Sequence, residues 1–174
     1  MGEHTALSDG FHYARKSDAS IYHPMQNGKL IIRHYLKAHL SRLSDGDYFA
    51  VLGYVNRLNP RHEESMQVIR HQIRDQLKVA TCLGFGPRFL HSTGQAYKGG
   101  PYSGVFLQIT CDDANDLDVP NHKYSFGVVK AAQAQGYFSV LAERERRALR
   151  VHLGKDTEAG LKQLEALISN ALAS

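Results

Sequence analysis

The residues best equipped for chemistry lie between Gly84 and Pro101. Glycines punctuate this stretch, and His91, Ser92, Thr93, Gln95 and Lys98 fall among them. Glycine lets backbone approach a ligand and leaves N–H groups open to it. Serine and threonine hydroxyls donate to oxyanions and sugar hydroxyls. A histidine moves protons near neutral pH. Such a set suits a small phosphorylated or polyhydroxylated molecule. It is not a Walker A loop, and Gly84-Phe85-Gly86 is an incomplete dinucleotide fingerprint. Residue types alone fit a glycine-rich turn before a capped helix equally well.

The elements that must position this stretch alternate along the chain. Ile32, Leu36, Leu40 and Leu43 line one face of a helix starting near Lys29. Strands are expected near 48–55, 79–84, 104–110 and 148–153, each apolar throughout, as in a sheet buried on both sides. Asn59-Pro60 opens a second helix striped by Met66, Ile69, Ile73 and Leu77. Ser125 caps a helix that Gly136 should end, with a short helix following through Leu141. Thr157 should cap the last helix, whose buried face is Leu161, Leu164, Leu167, Ile168 and Leu172. Alternation of this kind predicts an α/β fold, a three-layer sandwich around a parallel sheet. Ligands of such sheets bind at the carboxyl ends of the strands. Residues 1–28 are polar and irregular and are expected to form an arm, with a single domain over 29–174.

Composition narrows the function classes. The chain has 174 residues, 43% apolar and 22% charged, which suits one ordinary domain and excludes a disordered chain. No apolar run approaches the roughly 20 residues of a membrane helix, and the first residues do not form a secretory signal. Cys82 and Cys111 sit apart from any paired motif, which favours a reduced, cytoplasmic protein. The net charge of +4 comes from scattered basic residues, so nucleic acid is not an expected partner. His34 and His39, five apart, and His62 and His71, nine apart, do not share a helical face, and no metal site or cofactor is expected.

The run Gly84-Phe85-Gly86-Pro87-Arg88-Phe89-Leu90-His91-Ser92-Thr93-Gly94-Gln95-Ala96-Tyr97-Lys98-Gly99-Gly100-Pro101 resembles the phosphoglucose isomerase part of bacterial bifunctional transaldolase/phosphoglucose isomerases. Asp47-Tyr48-Phe49-Ala50, Gly104 to Thr110, Tyr124 to Gly127, Ala131 to Gly136 and Leu149 to Leu153 continue the resemblance in the family's order. It covers most of residues 29–170. Leu90 to Gln95 is also similar to the Leu-His-Ser-x-Gly-Gln run of single-chain bacterial phosphoglucose isomerases. The resemblance implies the sugar-isomerase fold, a five-stranded parallel sheet between helices. It implies interconversion of glucose 6-phosphate and fructose 6-phosphate, with the motif histidine, here His91, opening the sugar ring. In that family the histidine typically enters a neighbouring subunit's site.

The resemblance also implies a carboxylate that shuttles a proton between C1 and C2. Asp75 is the residue nearest its expected place at the end of the preceding helix. As a surface residue, Asp75 would instead pair with Arg74 or Lys78. Arg88 and Lys98 are candidates to hold a phosphate or an enediolate, with Ser92, Thr93 and Gln95 shaping the loop. Lys130 lies near the family's last active-site segment. Two departures stand out. The family's isomerase unit has two sugar-isomerase subdomains, the first supplying most of the phosphate pocket, and this length accommodates only the second. Glu145 stands where the family usually has glycine. The expected partners are a phosphosugar and either a second copy of the chain, a first subdomain or a transaldolase. A noncatalytic phosphosugar-binding or assembly module is the alternative.

Overall fold

The apolar runs are strands, and the stripes between them are helices. The computed structural model describes residues 12–14 and 28–173. In chain order the elements are β1 (His12–Ala14), α1 (Gly28–Leu40), β2 (Tyr48–Tyr54), α2 (Pro60–Leu77), β3 (Ala80–Phe85), a short 3-10 helix (Arg88–His91), α3 (Thr93–Gly99), β4 (Gly104–Thr110), α4 (Phe126–Glu143), β5 (Arg147–His152) and α5 (Thr157–Leu172). The sheet order is β1-β5-β4-β2-β3. β2 pairs in parallel with β3 and β4, and β4 with β5. β2 and β4 are inner strands covered on both faces, which explains their largely apolar character and the burial of Gln108 and Thr110 in β4. β1 falls inside the stretch expected to be an arm. It runs antiparallel on β5, with His12 opposite His152. The sheet is thus four parallel strands with one antiparallel edge, where the family resemblance implied five parallel strands.

The path β2-α2-β3 crosses the sheet one way, and β3-α3-β4 crosses it the other way. Right-handed crossovers in opposite directions place their helices on opposite faces. α1, α2 and α5 accordingly bury Leu36, Ile69, Ile73, Leu161 and Leu164 in one cluster with Phe49, Val105 and Val151. On the other face Phe89, Tyr97, Tyr137 and Leu141 pack on Ala50, Leu52, Tyr54 and Phe106. The result is an α/β three-layer sandwich. Among the described residues no helix is long and apolar enough to cross a membrane.

Several local expectations are corrected. Gly136 does not end a helix: α4 continues through it to Glu143. Glycine inside a helix costs only about 1 kcal/mol. The buried face of Ala134, Tyr137, Phe138 and Leu141 spans the site and carries the helix across. Asp156, not Thr157, caps α5, accepting from the Ala159 N–H at 3.0 Å, while Thr157 is the first helical residue and is buried. Leu77, expected in the α2 stripe, is 36% exposed because α2 ends there. Ser125 does cap α4, its hydroxyl accepting from the Val128 N–H.

The amino ends of the strands are held by a buried ion pair. The Arg147 guanidinium meets the Asp47 carboxylate through two bonds, of 2.6 and 2.8 Å. It also donates to the Arg42 carbonyl at 2.8 Å and the Tyr102 carbonyl at 2.9 Å. The Arg147 side chain holds the Asp47 carboxyl below its ordinary value, helped by the Ser44 N–H. Removing one partner strands the other charge in a buried place. Asp47→Ala should lower unfolding stability by about 3 kcal/mol in urea titration at neutral pH. A lowered folded pKa means this contribution is complete above the ordinary aspartate value of 3.8 and is lost as pH falls through the folded value. The gap between wild type and variant should therefore close in acid; a gap unchanged on acidification contradicts the assignment.

Glu145 follows α4 with φ of 55°, in the left-handed region. Its N–H bonds the Ala142 carbonyl at 3.0 Å, and the Arg146 N–H bonds the Leu141 carbonyl at 2.8 Å. That pair of bonds closes a helix in the way that normally calls for glycine. A side chain there costs about 1–2 kcal/mol, part of which glycine gives back through its freer unfolded chain. Glu145→Gly should raise stability by about 1 kcal/mol net, measured by thermal unfolding. A lowered melting temperature would contradict this account of the helix end.

Candidate functional site

At their carboxyl ends β2 and β4 part company: the chain leaves β2 for α2 on one face and β4 for α4 on the other. Such a divergence opens a crevice at the sheet edge. Here it forms a cleft of about 820 Å³ between the first turns of α4 and the ends of β2, β4 and β5.

The cleft floor is polar although it lies on apolar strands. Arg150 of β5 is 8% exposed. Its Nη1 donates to Gln135 Oε1, and its guanidinium stands 5.7 Å from the Phe138 ring centre. Burial pushes its pKa below the ordinary arginine value. Gln108, opposite Arg150 in register, gives its Nε2 to the Ala134 carbonyl at 3.0 Å, and its Oε1 is buried without a partner. Tyr54, the last residue of β2, is 1% exposed, and its hydroxyl also has no partner. Burial raises its pKa to about 12, so the hydroxyl remains a donor at neutral pH.

The rim is acidic. Asp112, Asp113 and Asp116 belong to an exposed loop, although Cys111 before them is buried. Asp116 closes the start of α4, accepting from the Ser125 hydroxyl and from the Gly127 N–H at 2.7 Å. Those bonds, the Ser125 one foremost, lower its pKa. Lys130 pairs with Asp113 at 2.5 Å. His152 Nδ1 meets Thr110 Oγ1 at 2.9 Å, and its Nε2 lies 3.3 Å from Asp112. The cleft thus offers donors at its floor, suited to an anion, and acceptors at its rim, suited to hydroxyl groups. Among the described residues no group of three or more His, Cys, Asp or Glu is placed to hold a metal ion.

None of the residues singled out in the Gly84–Pro101 stretch lines this cleft. His91 ends the 3-10 helix just beyond the carboxyl end of β3 and is exposed, together with Arg88, Ser92, Thr93 and Gln95. The His91 side chain makes no hydrogen bond or ion pair with a described residue. Gln95 Nε2 ties back to the Leu90 carbonyl at 2.7 Å and Ser92 Oγ to that of Phe89 at 3.4 Å, so these side chains brace the turn. Lys98 is half-buried with Nζ 5.6 Å from the Tyr137 ring centre, and its carbonyl takes two bonds from Arg146. Asp75 sits on the last turn of α2 and is bound to Arg74 at 2.7 and 3.1 Å. That turn lies at the amino end of β3 and His91 beyond its carboxyl end. A six-residue strand sets them about 20 Å apart, so the structure does not bring the two together.

Two glycines of the stretch serve packing. A Cβ on Gly86 would stand 2.5 Å from the Tyr54 ring, and one on Gly94 would stand 2.7 Å from the Phe89 carbonyl oxygen. Phe89 in turn meets Tyr54 and Tyr137 edge-on at 5.8 and 5.3 Å. The motif therefore fixes the rings behind the cleft while it presents His91 outward.

A buried hydroxyl without a partner costs about 1–3 kcal/mol. Tyr54→Phe removes only that oxygen and should leave the ligand-free protein as stable as wild type or about 1 kcal/mol more so. A loss of about 2 kcal/mol or more on chemical unfolding (the scale of losing a made bond to a charged group) would show that the hydroxyl does have a structural partner.

No family model matches this chain. No curated protein matches it either. Among solved structures it is similar to a hypothetical protein of Thermus thermophilus, with a TM-score of 0.64 and 14% identity. The match covers 87% of this chain and 40% of the Thermus chain, so this chain spans less than half the length of that relative. At that identity the likeness establishes the shared α/β architecture.

Proposed function

We propose that this chain is a phosphoglucose-isomerase-like sugar-isomerase domain that binds a phosphosugar and contributes to the interconversion of glucose 6-phosphate and fructose 6-phosphate. The observation that carries this reading is the placement of His91. It stands exposed at the carboxyl edge of the sheet, on a turn braced from behind by Phe89 and Gln95. A proton-transfer group held outward, away from its own chain's cleft, suits a site completed by another surface. A second copy of the chain, a first sugar-isomerase subdomain or a transaldolase-linked subunit would supply it. The two cysteines, both free, accord with a cytoplasmic protein.

In this reading His91 takes the proton from the sugar's O1 hydroxyl and delivers one to O5 as the ring C1–O5 bond breaks. The open-chain sugar then needs a base to carry a proton between C1 and C2. Asp75 is held by Arg74 at the far edge, so the completing surface provides that carboxylate. The same observation favours the second reading, a noncatalytic phosphosugar-binding or assembly module.

A coupled assay for fructose 6-phosphate conversion separates the two. The chain alone should show little turnover, since positioning by the absent groups is worth about 7–11 kcal/mol of barrier. Turnover should appear when a first subdomain is supplied, and His91→Asn should then lower it by about 10²–10⁴-fold while the fold is kept. Reconstituted activity indifferent to His91→Asn would refute the assignment of His91. Binding of sugar phosphate without turnover in any combination would favour the noncatalytic module.

A further inference from the structure

The floor of the cleft holds two polar groups that the fold itself does not satisfy. Arg150 is a buried cation whose hydrogen bond goes to a neutral amide, Gln135, and no described carboxylate pairs with it. Buried charges in proteins are ordinarily paired. The Tyr54 hydroxyl is buried and unpartnered, and Tyr54 lines the same cleft. Tyr54 pairs with Thr110 and Gln108 with Arg150 across neighbouring strands, so these side chains rise from one face of the sheet. Tyr54 and Arg150 both line the cleft.

We propose that Arg150 and Tyr54 form a phosphate-binding site at the cleft floor, which takes the phosphate monoester of a small polyol. The incoming anion completes the arginine and accepts the hydroxyl proton of Tyr54. The start of α4 takes no part, because its N–H groups are already taken: that of Phe126 by the Leu117 carbonyl, that of Gly127 by Asp116 and that of Val128 by the Ser125 hydroxyl. The rim fixes the orientation. Carboxylates of Asp112, Asp113 and Asp116 repel a second anionic group but accept hydrogen bonds from hydroxyls, so the polyol points outward. The size of the cleft lies within the usual range for small-molecule sites, about 300–1,000 Å³. This inference deepens the phosphosugar reading above, since it gives the chain a phosphate grip of its own, independent of any first subdomain.

Calorimetric titration of the full chain with inorganic phosphate, fructose 6-phosphate and fructose tests it. Inorganic phosphate should bind, fructose 6-phosphate should bind more tightly, and fructose should not bind measurably. Tyr54→Phe and Arg150→Gln should each weaken both phosphate ligands by about tenfold or more. Circular dichroism shows whether Arg150→Gln remains folded; Tyr54→Phe carries the test if it does not. The site is overturned if wild type ignores both phosphate compounds, if fructose binds as well as its phosphate, or if Tyr54→Phe binds phosphate as wild type does. The isomerase reading fails separately. Phosphate binding without turnover in any reconstituted form removes the enzyme and leaves this site. Turnover with unchanged phosphate affinity in both variants removes the site and leaves the enzyme.

Discussion

One guanidinium holds the amino edge of the sheet together. Arg147 opens β5, grips the Asp47 carboxylate just ahead of β2, and reaches the carbonyls of Arg42 after α1 and Tyr102 before β4. Parallel strands have no hairpins to fix their relative heights. A multivalent side chain at their starts does that work. With heights set there, the far ends of β2, β4 and β5 are brought level, and the groups that line the cleft come into reach of each other.

The two edges of the sheet therefore differ in how their buried cations are paired. At the amino edge carbonyls and a carboxylate surround Arg147, and Arg146 is likewise bound to the carbonyls of Lys98, Gly100 and Pro101. At the carboxyl edge the Tyr54 hydroxyl and Gln108 Oε1 are buried without partners, and Arg150 meets a neutral amide rather than a carboxylate. Local incompleteness of this kind is carried by the stability of the rest of the fold.

Much of the architecture was legible because burial on both faces leaves a plain mark on sequence. Strands such as Tyr48–Tyr54 and Gly104–Thr110 are largely apolar runs, and the stripes of α2 and α5 repeat at helical spacing. Gly136 misled because a single weak helix former cannot stop a helix whose neighbours Tyr137 and Phe138 are buried. β1 was hidden because three residues carry no periodicity, and its pairing with β5 is a long-range event. The site was less readable. His91 stood out through its surrounding motif, but Arg150 sits inside Leu149-Arg150-Val151, where apolar context masks a buried charge. Tyr54 looked like any aromatic strand residue. Only the topology shows that Tyr54 ends its strand at the crevice. The charge inside an otherwise apolar run was the one signal that pointed there.

The antiparallel strand β1 has a further consequence. It covers the outer backbone of β5 through the register His12–Ala14 against Arg150–His152. Without that cover, β5 would offer bare amide and carbonyl groups to any extended segment it met, and one sheet could grow across molecules. Three residues thus act as a hem on the fabric of the sheet, guarding solubility rather than chemistry. The strand they shield is the one that carries Arg150.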